Sequence, residues 1–468
     1  MMATRLGLGL VCALLLAGCA SSTAYRVTRS DVIGPCETAV PDRDVLVGVA
    51  LSGGGGRAAL FGAAGLEALA GLRTADGASV IDKISHLSSV SGGSIAAAYY
   101  AAKKPGRHVK VLNADGALSE PYRAFFDTYR TDLSQDFESS LIWRQLLSFR
   151  WLNSALAART LAEILCDRLY GNTRLQDISE REKAGDSPGL IINTTLYNNG
   201  RRLALTTLPP EAFTYDFFAD LERSVQERGR VLNVTARVRE RWNRLRSMTP
   251  IEIEMDPCPG SLAGSVAASA SFPPLVGPLT LKIGDEETYW HAGDGGLYEN
   301  QGLESLLLLY LKQLQLKRAK RILVILFDSS FPFSVGERRL LRRSVPFSLL
   351  TFDFSRIPSI MEERATTYQA LFFSSLQTEG VFPDSKTFTG ISLRHTDAKW
   401  AADMSDLPPA CKAEATPLAT PQEVTERIAE IPTRLVLTSE CDRQLLAAAA
   451  AKLVNENRAA ILEFLGRP

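Results

Sequence analysis

Apolar positions in this chain cluster into short unbroken runs, separated by glycine-rich turns and longer helical stretches. Val45-Leu-Val-Gly-Val-Ala50 is one such run and predicts a buried strand. It leads through Ser52-Gly-Gly-Gly-Gly-Arg57 into Ala58–Leu72, whose Ala and Leu content predicts a helix. A second strand over Ile84–Val90 runs into Ser91-Gly92-Gly93-Ser94, followed by a small-residue helix over Ile95–Ala102. Residues 120–185 read as helical, with aromatics and Leu at mixed spacing, and Leu190–Asn193 predicts a third strand. After a helical stretch over Leu303–Leu316, Arg321-Ile-Leu-Val-Ile-Leu-Phe-Asp328 is the clearest buried strand. Strands alternating with helices predict an α/β fold, a mostly parallel central sheet covered by helices on both faces. Asp406–Pro421, rich in Pro, Ala and Thr, predicts a loop, Leu445–Phe464 predicts a C-terminal helix, and no internal repeat is visible.

Composition narrows the function classes. The 468 residues carry 52 Lys+Arg against 52 Asp+Glu, with 46% hydrophobic residues. That balance excludes long disorder and a disulfide-dense mini-scaffold, and it argues against a nucleic-acid partner, which needs excess positive charge to neutralise phosphates.

The first residues stand apart from the core. Arg5 precedes the apolar stretch Leu6–Leu16, which is well short of the roughly 20 residues a spanning helix needs. It ends in Leu16-Ala17-Gly18-Cys19, which resembles a bacterial lipobox and would place a diacylglycerol thioether on Cys19. A plain secretory signal and a short membrane anchor are the competing readings. Removing residues 1–18 takes away Arg5 and no acid, leaving a net charge of −1. Ala20 and Ser21 follow the cysteine, so no Asp marks inner-membrane retention, and an outer-membrane location in a bacterial envelope is expected. The expected organisation is a signal peptide over 1–18, a tether over 19–43, a catalytic domain over 44–445, and a C-terminal helix over 446–468 packed on it. The seven cysteines show no CxxC and no Cys/His cluster, so no metal site or cofactor is expected. A disulfide such as Cys411–Cys441 suits an oxidising periplasm, but spacing assigns no pairing.

Three local features carry candidate chemistry. Ser91, with Gly92 and Gly93, sits at a strand-to-helix junction, where a tight turn can lift a hydroxyl off the sheet. Gly53–Gly56 lets backbone N–H groups approach a ligand, and Gly54, Gly55 and Gly56 are candidate oxyanion donors. Arg57 would fix that loop or add positive potential. Phosphate binding is the competing role, but no G-K-[ST] follows and the dinucleotide fingerprint fails at Ala58. Gly293-Asp294-Gly295-Gly296 allows a tight turn presenting a carboxylate, although an ordinary Asp-Gly turn has the same pattern. A nucleophilic serine needs a base. Of the four histidines, His395 could fill the last place of a Ser-Asp-His order but lacks supporting context. A Ser91–Asp294 dyad is the simpler arrangement. His291, three residues before the acid, either tunes it or packs.

In this order, the glycine loop with Arg, the serine elbow and the Asp-Gly-Gly resemble patatin-like phospholipases. Ala267-Ala-Ser-Ala-Ser-Phe-Pro-Pro274, Asn300 and Ile431-Pro-Thr-Arg-Leu435 add to the resemblance, which covers about residues 44–445 with a weak middle over 105–185. The sequence departs from the family at Ser52, where Asp is frequent, and at Ser89, where Gly is. The resemblance implies a three-layer fold with helical insertions and acyl-ester hydrolysis of lipids without metal. Ser91 would be the nucleophile, Asp294 its base, and Gly54, Gly55 and Gly56 the oxyanion donors. Arg57, Gly92, Gly93, Gly295 and Gly296 would support them. Two other activities remain open: acyl transfer on the same dyad, and a non-catalytic lipid-binding lipoprotein. Phe331–Phe352 mixes basic and apolar residues, so it either meets a membrane interface or packs with a solvated basic face; Arg223–Arg246 reads as a solvated basic helix.

Overall fold

The computed structural model describes residues 24–29, 38–148, 150, 155–231, 233–256, 260–273, 275–285, 287–330 and 383–466, with short pieces between 360 and 378. The expected signal peptide, Cys19, most of the expected tether and the Phe331–Phe352 stretch lie outside the described residues.

Among the described residues, nine strands form one sheet: β1 Tyr25–Val27, β2 Val45–Leu51, β3 Ile84–Val90, β4 Gly189–Leu196, β5 Arg201–Thr206, β6 Leu279–Ile283, β7 Tyr289–Asp294, β8 Arg321–Asp328 and β9 Phe388–Arg394. Their order is β1-β6-β7-β4-β3-β2-β8-β9, with β5 also paired to β4. The run β4-β3-β2-β8-β9 is parallel. Antiparallel pairs β4–β5, β4–β7 and β6–β7 make the other side mixed.

The helices are α1 Gly55–Ala70, α2 Gly92–Lys103, α3 Glu120–Leu133, α4 Phe137–Leu147, α5 Ala155–Leu165, α6 Leu175–Ala184, α7 Phe217–Glu227, α8 Ala236–Leu245, α9 Leu262–Ser269, α10 Leu303–Gln315, α11 Pro421–Glu430, α12 Glu440–Glu456 and α13 Arg458–Gly466. Among the described residues, none is long and apolar enough to cross a membrane.

The unbroken apolar runs have a simple cause. Along β2, Val47, Val49 and Leu51 enter one core while Leu46 and Ala50 enter another. Along β8, Leu323, Ile325 and Phe327 divide from Ile322, Val324 and Leu326 in the same way. Successive side chains point to opposite faces, and helices cover both, so every position must be apolar. On one face, α1 packs so closely that a Cβ on Gly65 would lie 2.1 Å from the Phe327 ring. On the other, α10 contributes Leu306, Leu309 and Tyr310.

The chain's C-terminal part differs from the expected division at 445/446. That boundary falls inside α12, whose first turn is capped by the Ser439 hydroxyl accepting from Asp442 N. Leu445, Leu446, Ala449 and Ala450 of α12 are buried in the same core as α1. The single C-terminal helix expected over 445–464 is two helices, broken at Asn457. The expected 406–421 loop contains one helical turn, Pro409–Lys412, which a Cys411–Cys441 disulfide ties to α12. Cys166 is the free cysteine among the described residues. The basic Arg223–Arg246 stretch, expected as one helix, is the end of α7, a break over residues 228–235 and all of α8; Arg239 pairs with Glu222, and Trp242 packs 4.7 Å from Phe217.

Candidate active site

Ser91 follows the last residue of β3 and caps α2. Its backbone stands at φ 51°, ψ −121°, a region that L-residues rarely occupy. The strain is held by neighbours. Ser91 N donates to Ser269 Oγ at 2.9 Å, and Ser269 Oγ donates to Asn193 O at 2.7 Å. Asn193 Nδ2 in turn donates to Ser88 Oγ and Ser89 O, each at 3.0 Å. Ser89 is fully buried and donates to Ile191 O at 3.2 Å, so this departure from glycine serves to bind β3 to β4. Backbone strain of this kind costs about 1–3 kcal/mol. Ser91→Gly should therefore be more stable than Ser91→Ala, by about 1 kcal/mol in equilibrium unfolding.

Asp294 ends β7, one strand beyond β4 from Ser91. The registers Val90↔Asn193 and Thr194↔Asp294 bring the two residues to one level of the sheet. Asp294 is 2% exposed, and its Oδ1 accepts from Gly296 N at 2.8 Å. Burial drives its carboxyl up to about 7, against the opposing pulls of the Gly296 N–H and the Ser91 hydroxyl. Oδ2 has no partner of good hydrogen-bond geometry. The Ser91 hydroxyl pulls that pKa down, and no hydrogen bond of ordinary geometry joins it to the carboxyl. Gly295 opens the short 3₁₀ turn after Asp294.

The glycine loop faces this pair. A Cβ on Gly92 would sit 1.9 Å from Gly55 O, so the serine elbow and the loop are in direct contact. Gly93 lies buried beside it. Asn300 pins the loop's start: its carbonyl accepts from Gly53 N at 2.8 Å, and its Nδ2 donates to Ser330 Oγ at 3.3 Å. Of the three candidate donors, Gly56 is already spent, because its N–H donates to Arg434 O at 2.6 Å. Gly54 N and Gly55 N have no hydrogen-bond partner among the described residues and remain the candidates. Arg57 is 1% exposed and serves as a clamp. Its guanidinium donates to Ser329 O at 2.8 Å, Ile431 O at 2.5 Å and Thr433 Oγ1 at 3.2 Å.

Neither histidine considered beside the dyad takes part. His395 is fully buried against Phe61, with Nδ1 3.1 Å from Asp328 O, and burial pushes its pKa down to about 3. His291 pairs with Thr280 Oγ1 at 3.0 Å, on the strand face opposite Asp294. Ser269, Asn193, Arg434 and Glu138 brace the site through pairings across 76 to 296 residues of chain. No local spacing signals such contacts. A cavity of about 1150 Å³ lined by Arg43, His86, Lys104 and Glu182 opens at the other end of the parallel strands, away from Ser91.

The family model for patatin-like phospholipase matches residues 49–307. No curated protein matches the chain. Among solved structures, human GIVD cytosolic phospholipase A2 aligns with 91% of this chain and 60% of its own, at 14% identity and TM-score 0.42. Its complex with methyl gamma-linolenyl fluorophosphonate aligns with 91% and 59%, at 15% identity and TM-score 0.43. VipD from Legionella pneumophila aligns with 94% and 70%, at 11% identity and TM-score 0.27. The chain thus spans about three-fifths of the length of the human chains it matches.

Proposed function

The chain belongs to the patatin-like phospholipase family, and from that premise we propose that it hydrolyses acyl esters of lipids through a Ser91–Asp294 dyad. Ser91 Oγ attacks the ester carbonyl and passes its proton to Asp294. The tetrahedral oxyanion is held by Gly54 N–H and Gly55 N–H, each such donor contributing about 10²–10³ in rate. Asp294 returns the proton to the departing alcohol, leaving the acyl group on Ser91. Water, deprotonated by Asp294, then attacks the acyl carbonyl, and Asp294 returns that proton to Ser91 Oγ as the fatty acid leaves. The observation that carries this reading is the buried carboxyl at about 7 facing a serine on a strained elbow. A base poised near working pH is ionised yet still proton-accepting.

The protein is further proposed to be held in a bacterial envelope, at the outer membrane, by acylation of Cys19. Each buried methylene contributes about 0.8 kcal/mol, so several acyl chains would hold it firmly.

An alkyl fluorophosphonate should label Ser91 and leave Ser52, Ser88, Ser89 and Ser94 unmodified, read by peptide mass spectrometry. Label on another serine, or none on folded protein, would sink the dyad.

A further inference from the structure

We propose that helix α4 seats the protein on the surface of a zwitterionic phospholipid bilayer beside the active-site mouth; this rests on the lipid-ester reading above. The helix is two-faced. Phe137, Glu138, Leu141 and Gln145 point inward and are buried. The outer face carries Ile142, Trp143, Leu146 and Leu147, which are 41%, 62%, 48% and 78% exposed. Single exposed apolar residues are ordinary, but four large ones on one short helix form a patch that water solvates poorly. A tryptophan within such a patch suits the headgroup boundary, where its ring is apolar and its N–H stays wet.

The placement argues for a membrane carrying substrate. Glu138, in the first turn of α4, accepts from Arg434 Nη2 at 2.6 Å and Arg434 Nε at 3.0 Å. The same Arg434 accepts the Gly56 N–H through its carbonyl at 2.6 Å. One residue therefore links the helix to the candidate oxyanion loop. At about 1.5 Å per residue, the whole patch lies within about 14 Å of Glu138 along the helix axis. The charges nearby come in pairs of both signs: Arg144 with Asp167 at 2.7 Å, and Arg150 with Glu163 at 2.7 Å. A balanced rim complements a headgroup that itself carries one phosphate and one ammonium. It does not favour a strongly anionic partner.

The test uses the full chain and vesicles of phosphatidylcholine. Brominated phosphatidylcholine should quench part of the tryptophan emission of the unaltered protein, and Trp143→Phe should lose most of that quenching. Trp143→Ser/Leu147→Ser should hydrolyse vesicle phospholipid at least tenfold more slowly while keeping turnover of a soluble butyrate ester within about twofold. Quenching unchanged in Trp143→Phe, or unchanged vesicle turnover in the double variant, would overturn the proposal. If neither ester is hydrolysed by the unaltered protein, the catalytic reading fails, and the quenching measurement still decides the docking.

Discussion

Asp294→Asn should lower ester turnover by about 10³–10⁴-fold, the range that a positioned general base contributes. The amide keeps the acceptor for Gly296 N but cannot take a proton from Ser91. In the unaltered protein, turnover should rise with pH through about 7 and then level, because only the ionised carboxylate is a base. That inflection should vanish in the residual rate of the variant. Stability should move the other way. The carboxyl's folded pKa lies above its ordinary 3.8, so the folded state holds the proton more tightly than the unfolded chain. Stability therefore falls as pH rises from about 4 to about 7, with a slope of roughly 1.4 kcal/mol per pH unit at most. Asp294→Asn removes that penalty, so it should melt above the unaltered protein at pH 8 and match it below pH 4. A variant equally active at pH 8, or one whose melting advantage ignores pH, would refute the assignment.

Gly92→Ala should be the other severe change, though it removes no functional group. Its Cβ would lie 1.9 Å from Gly55 O, closer than any carbon can approach a carbonyl oxygen without backbone movement. The carbonyl is backbone, so no side-chain rotation relieves the clash. Overpacking of this kind costs about 1–3 kcal/mol. The relief must displace either the elbow or the glycine loop, and both hold candidate catalytic atoms. Turnover should fall about 10²–10³-fold, the worth of one misplaced oxyanion donor. Ser91 should remain present but react slowly with a fluorophosphonate. Ordinary turnover in Gly92→Ala would mean that this contact is absent in the working enzyme.

The fold was legible where burial is two-sided. β2, β3 and β8 stand out because both faces of each are covered along the strand interior. β6 alternates buried and half-buried residues, and the first half of β7 is half-buried, so neither makes an unbroken apolar run. β9 reads as polar for the same reason. The turns that carry the proposed dyad residues Ser91 and Asp294 were legible because turn chemistry is local: small residues surround a group that must be presented. What local pattern withholds is hydrogen-bond allocation. Three adjacent glycines look equivalent, yet Gly56 is removed from the set by a carbonyl 378 positions away. The same holds for Ser269, whose role as the acceptor of the Ser91 N–H depends on α9 lying against the end of β3.

The Arg57 clamp has a consequence for how much chain the loop needs. Its guanidinium joins the glycine loop to Ser329, Ile431 and Thr433, all beyond the end of the family match at residue 307. The serine and the acid both precede these acceptors in the sequence. Without residues 431–434, the cation that anchors the loop lacks the partners they supply. Competence should therefore require residues 431–434 to be present and folded onto the loop, and a fragment that carries both proposed dyad residues but stops before them should be catalytically silent.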